Sequence, residues 1–117
     1  MKIPSLALAL AASAVVWSAS PVVAETVTGE VVDLACYLPH PEMGKGAGHR
    51  KCADTCIKKG LPVGLLTEDK QVYLLLEDHE NPKPYAQVKE KAAEKVTVEG
   101  EKVAQGGLQG IVVEALK

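Results

Sequence analysis

Residues 71–77 read QVYLLLE, a short run that is apolar on both faces and is therefore typical of a central β-strand. The preceding run, residues 63–67, reads VGLLT and is joined to it through residues 68–70, which is the pattern of a β-hairpin. A turn containing two prolines follows and leads into a helix over residues 85–95. The centre of the chain is thus strand, strand, helix.

Similar patterns predict further elements towards both ends of the chain. The other predicted elements are a strand over residues 26–37, a loop over 38–48, a helix over 49–59, a strand over 96–103 with a bulge at Gly100, a loop over 105–110 and a last strand over 111–116. The fold class is therefore mainly β with two helices. Five strands with a helix between the third and the fourth predict an OB-fold-like, five-stranded Greek-key barrel that carries an insertion, residues 38–60, after its first strand.

The N-terminus indicates export. Lys2 precedes an apolar run that ends at Trp17, and small residues lead to Ala24, which together are typical of a secretory signal peptide over residues 1–24. The apolar run is shorter than the 18 or so residues that a spanning helix needs, so we expect no membrane anchor after cleavage. The mature chain, residues 25–117, is then a single domain in the periplasm or outside the cell.

Composition disfavours several classes of function. Removing Lys2 leaves 12 basic against 15 acidic residues, with Arg50 as the only arginine and no phenylalanine, so nucleic-acid binding is not expected. The sequence predicts no basic amphipathic helix, so binding to a membrane surface is not expected. The mature chain has five threonines and no serine, and none lies in a nucleophile elbow, so the sequence favours a non-enzymatic role.

The candidate site lies in residues 48–56, GHRKCADTC. On a helix, His49, Cys52 and Cys56 fall on one face, and Cys36, the one other cysteine, comes from a separate apolar run. Three thiolates and an imidazole form a closed tetrahedral set for Zn(II) and also suit Cu(I). The sequence therefore predicts a metal site that serves metal handling or holds the inserted helix against the barrel.

Other residues near this set are weaker candidates. His40 lies between two prolines close to Cys36 and is a substitute ligand, and Met43 is relevant only for Cu(I). Asp33 is expected on a different face from Cys36, because side chains alternate along a strand. His79 is interpreted as a polar turn residue.

A structural disulfide is the competing hypothesis, because exported thiols normally oxidise. Cys52 and Cys56 are poor partners within a helix, since their Cβ atoms would lie about 5–6 Å apart, whereas a disulfide needs roughly 3.5–4.5 Å. Cys36 would pair with one of them and leave the other thiol free. The protein would then be a disulfide-stabilised module that binds a small molecule or an exported protein through its barrel face or residues 104–110. A thiol redox switch that uses Cys36 is a third possibility.

Part of the sequence resembles a known group of proteins. The motifs that carry the resemblance are Asp33-x-x-Cys36-Tyr37, Gly48-His49-x-x-Cys52-Ala53-x-x-Cys56 and Gly60-x-Pro62. They resemble small exported bacterial proteins that have an OB-like barrel and no assigned activity, and the resemblance spans most of the mature chain. It implies the fold and the compartment and brings no function with it. Where those proteins often have Asp-Gly in the hairpin turn, this chain has Asp69-Lys70.

Overall fold

The computed structural model describes residues 1–4, 10–18 and 23–117. The predicted signal peptide lies partly outside these residues, and its cleavage stays a prediction. Among the helices in these ranges, none has the length and apolar character needed to cross a membrane.

The described residues form five strands and three α-helices. In chain order they are β1 Glu25–Asp33, α1 Leu34–Tyr37, a 3₁₀ turn Ala47–His49, α2 Arg50–Lys58, β2 Val63–Leu66, β3 Val72–Glu77, α3 Lys83–Lys89, β4 Lys95–Gln105 and β5 Leu108–Leu116. The strands close into a barrel in the order β1-β2-β3-β5-β4. All pairs are antiparallel except β3 and β5. The prediction of a mainly β, OB-fold-like barrel with a helix between the third and fourth strands is confirmed.

The core fills the barrel and extends under α2 and α3. Val31, Leu65 and Ile111 are fully buried inside it, while Ile57 of α2 and Val88 of α3 are 1% and 0% exposed in the same apolar cluster. Helix α2 is thus packed against the barrel by one face. Its remaining faces are free to carry polar or ligating side chains.

The first strand ends earlier than the sequence predicted. β1 stops at Asp33, and the next four residues form α1 instead of continuing the strand to residue 37. Asp33 caps this turn, since its side chain accepts a hydrogen bond from the backbone N–H of Cys36 at 2.8 Å. Cys36 therefore lies on a helical turn that directly follows the barrel strand.

The last hairpin is tighter than expected. The sequence predicted a loop over residues 105–110, whereas β4 continues to Gln105 and β5 starts at Leu108. Gly106 and Gly107 have φ values of 57° and 83°, which is the left-handed geometry of a two-residue hairpin turn. The predicted bulge at Gly100 is confirmed by a register shift between Glu99 and Gly100.

Helix α3 is shorter than the sequence predicted, ending at Lys89 and not at residue 95. Its chain turns away because the N–H of Ala93 donates to the carbonyl of Val31 at 2.8 Å, and the N–H of Val31 donates to the carbonyl of Glu94 at 3.0 Å. These bonds to β1 replace the bonds that a longer helix would make. These tertiary hydrogen bonds outweigh the local helix propensity of residues 90–95.

Candidate metal centre

Asp33 is the most deeply buried polar residue of the site. It is 0% exposed, and it lies where β1 gives way to α1. One carboxylate oxygen, Oδ1, accepts from the backbone N–H of Cys36, and the other, Oδ2, lies 2.9 Å from Nε2 of His49. A buried carboxylate is costly unless it is paired with or bound to a cation, so Asp33 marks a place that favours positive charge.

His49 is oriented by Asp33. Its side chain is 15% exposed, and it ends the 3₁₀ turn that leads into α2. A neutral imidazole that donates its Nε2–H to Oδ2 of Asp33 leaves the Nδ1 lone pair free for an ion. Carboxylate–histidine pairs of this kind are the usual support of a metal-bound histidine.

Helix α2 brings the remaining thiols to the same place. The ligand atoms of Cys36, His49 and Cys52 lie within 4.8 Å of one another, and so do those of Asp33, Cys36 and Cys56. We call the first group the outer triad and the second the inner triad. Cys36 belongs to both, so its sulfur connects the two halves of one donor cluster.

These triads are the only groups of three or more potential metal ligands within the ranges that the structure describes. All four residues that the sequence predicted as ligands belong to them, and all three cysteines are free thiols. The cluster is geometrically able to hold a metal ion. Which of its members bind the ion stays a prediction.

Burial and the Asp33 carboxylate raise the pKa of two thiols of the cluster, those of Cys36 and Cys56. A hydrogen bond to the Asp33 carboxylate, together with partial burial, raises the pKa of the Cys36 thiol to about 12. Burial, followed by the charge of Asp33, also raises the pKa of Cys56. A bound cation reverses this effect, because metal ions deprotonate the thiols that coordinate them.

The loop of the insertion is fixed to the barrel beside the site. The N–H of Gly46 donates to Oε2 of Glu30 on β1 at 2.7 Å. A Cβ added at Gly44 would lie only 2.6 Å from the backbone N and Cα of Tyr37, so the loop passes directly over α1. This close crossing connects the path of the loop with the position of Cys36.

The weaker candidates lie apart from the triads. His40 is exposed and its backbone N–H donates to the carbonyl of Cys36 at 3.0 Å, whereas Met43 is 77% exposed. His79 is exposed in the turn after β3, in keeping with its interpretation as a polar turn residue. None of the three belongs to either triad.

Asp33 is the site residue that the sequence reasoning ranked too low. The alternation argument requires a strand through Cys36, but the strand ends at Asp33 and the helical turn brings residues 33 and 36 to the same side. The signal was present as Asp-x-x-Cys, because an N-cap aspartate accepts from the N–H three residues later. The same spacing aligns the carboxylate and the thiol.

A groove of about 790 Å³ is lined by residues that belong to neither triad. It runs between α1, the start of β3 and the β4–β5 hairpin, and its apolar lining includes Leu34, Leu38, Leu74 and Leu108. This is the region that the alternative hypothesis of a binding module would use. Its hairpin side is mostly strand, not the glycine-rich loop that was expected.

Comparisons with protein-family models, with curated proteins and with solved structures find no match to this chain. Function is therefore inferred from the cluster itself.

Proposed function

We propose that this is an exported metal-binding protein that holds one Zn(II) or Cu(I) ion through Cys36, His49, Cys52 and Cys56. The observation that carries the proposal is the convergence of every cysteine in the chain with His49 around a buried carboxylate. Thiolate and imidazole donors suit both ions. The ion is either a cargo in metal handling or a clamp for the insertion.

The surroundings of Asp33 support His49 as a metal ligand. Apart from the His49 imidazole, no cationic side chain contacts Asp33 among the ion pairs of the described residues. The buried carboxylate is compensated by the Cys36 N–H and by His49 Nε2, and an ion bound at Nδ1 would strengthen the second bond by polarising the ring. Asp33 then acts by orienting His49, which binds through Nδ1.

Zn(II) and Cu(I) differ in what they require of this donor set. Zn(II) favours four ligands in a tetrahedron, which would require Cys56 to approach the outer triad. Cu(I) is selected by soft thiolates, for which the three sulfurs are the essential donors. A variant that lacks His49 should therefore lose more affinity for Zn(II) than for Cu(I).

Intact mass spectrometry under native conditions tests the proposal. We expect protein purified without reductant to carry one ion per chain, and to yield three alkylated thiols after acid denaturation. Cys36→Ser should abolish the bound ion, whereas His79→Gln, which changes an exposed histidine outside the triads, should leave it in place. One alkylated thiol, a mass two hydrogens lower and no ion would contradict the proposal.

That last outcome would support the disulfide hypothesis. It has geometric support of its own, because the Cys36 sulfur lies within 4.8 Å of the sulfurs of Cys52 and of Cys56. Either bond would require the two sulfurs to reach the S–S length of about 2.05 Å. The same peptide map that locates the disulfide would show which helical cysteine takes part.

A further inference from the structure

The two triads differ in their access to solvent. Cys52 of the outer triad is exposed, and the His49 side chain is 15% exposed. Asp33 of the inner triad is 0% exposed, and Cys36 and Cys56 are only partly exposed. Cys52 is therefore the one exposed donor of the cluster and Asp33 the one fully buried donor, and the other three are partly exposed.

The packing of α2 fixes where its two cysteines lie. Ala53 and Ile57 are the buried residues of the helix and fix its rotation against the core. Each cysteine directly precedes one of them, and Cys56 is the less exposed of the two. Cys52 is therefore the thiol that an incoming carrier meets first.

We propose, on the basis of the metal-binding function above, that the ion is a cargo delivered by a small thiol carrier, and that Cys52 is the ligand through which it enters and leaves. The substrate class is Zn(II) or Cu(I) bound to a low-molecular-weight thiol such as cysteine. The outer triad receives the ion. Cys56, the partly exposed thiol of the inner triad, then completes the four-ligand set.

The exchange step is a ligand substitution without oxidation or reduction. The Cys52 sulfur forms a bond to the ion as the bond between the ion and the carrier sulfur breaks. The proton of the Cys52 thiol passes to the departing carrier thiolate. Cys36 and then Cys56 displace further carrier thiolates in the same way, each giving its proton to the thiolate that leaves. His49 displaces the remaining carrier ligand through its Nδ1 lone pair.

Release kinetics with zinc test this assignment. The zinc-loaded protein is mixed with a chromophoric zinc chelator, and the release rate is measured against the concentration of added free cysteine. In the native protein we expect the rate to rise with cysteine. Cys52→Ser should reduce the slope of release rate against cysteine concentration at least tenfold. Cys56→Ser should retain this slope and lower the equilibrium affinity for zinc at least tenfold.

Equal effects of the two substitutions on slope and affinity would overturn the proposal, because Cys52 and Cys56 would then be equivalent ligands with no separate entry role. A native protein that binds neither Zn(II) nor Cu(I) would instead remove the proposed function. The two failures are thus distinguishable. Circular dichroism of both variants establishes that each is folded before its kinetics are compared.

A second measurement needs no variant. The zinc-loaded native protein is treated with iodoacetamide, and the modified cysteines are located by peptide mass mapping. We expect Cys52 to be alkylated at least tenfold faster than Cys36 and Cys56. Equal protection of all three cysteines would overturn the assignment of Cys52 as the ligand through which the ion enters and leaves.

Discussion

The barrel and the insertion are built by different means. The barrel strands are paired on both sides, and their inward side chains form one continuous core. The insertion, residues 38–60, has no strand, and it is held by Ala53 and Ile57, by the bond from Gly46 to Glu30 and by the bond from His49 to Asp33. A closed barrel can thus carry a segment whose stability is local, and the donor cluster lies at the junction between the two.

Removal of the ion should distinguish the two regions most strongly. At a free-ion concentration about 1,000 times Kd, binding stabilises the folded state by about 4 kcal/mol, which a strong chelator removes. We expect hydrogen exchange to accelerate in residues 38–60 well before it does in the barrel strands. Cys36→Ser is the control, since its exchange should not respond to chelator. A uniform increase over the whole chain would show that the insertion and the barrel unfold as one unit.

Truncation of Ile57 tests how firmly α2 belongs to the barrel core. Ile57→Ala removes a side chain that is 1% exposed and should lower the free energy of unfolding by about 3 kcal/mol, measured by urea denaturation of the metal-free protein. Ile57→Val should cost only about 1 kcal/mol. A loss below about 1 kcal/mol for the alanine variant would mean that the contact between α2 and the barrel contributes little to stability.

Substitution of Asp33 tests the connection between the regions. The variant Asp33→Asn retains a side-chain oxygen to cap α1 but presents an amide N–H₂ to His49. The histidine must then accept through Nε2 and carry its proton on Nδ1, the nitrogen proposed to bind the ion. We expect zinc affinity to fall about 10- to 100-fold, as is usual for loss of a supporting carboxylate.

Two measurements make the Asp33 result specific. Competition with a zinc chelator gives the affinity, and thermal unfolding of the metal-free variant shows whether the cap on α1 survives. Asp33→Ala is the matched variant that loses both the cap and the support of His49. Unchanged zinc affinity in Asp33→Asn would contradict the proposed role of the carboxylate.

The barrel was largely predictable from the sequence because its information is periodic and local. Alternating or wholly apolar runs located all five strands, and the prolines and glycines between them marked the turns. One of the boundaries that differed depends on a long-range partner. Helix α3 ends early because Ala93 and Glu94 bond to Val31, which is far away in the sequence, and no local pattern contains that bond.

The cluster was only partly predictable. Helical spacing placed His49, Cys52 and Cys56 on related faces, and the rarity of cysteine indicated Cys36 as their partner. The division into two triads depends on the rotation of α2, which buried side chains of that helix set by packing. The role of Asp33 depended on one residue at the end of β1, where a strand interpretation and a helix cap put the side chain in opposite directions.

The smallest predicted effect concerns a turn of the barrel that contributes no residue to the cluster. Lys70 has φ of 64°, a left-handed conformation that costs a residue with a Cβ roughly 1–2 kcal/mol. Lys70→Gly should therefore raise the free energy of unfolding by a net amount of about 1 kcal/mol. The gain is smaller than the full strain because glycine also gives the unfolded chain greater freedom. Lys70→Ala is the control, since it removes the side chain and keeps the strain.

Urea denaturation measures the stability, and zinc affinity should be unchanged in both variants. A change in affinity would mean that the barrel transmits local turn strain to the cluster, and the separation of the two regions would then be incomplete.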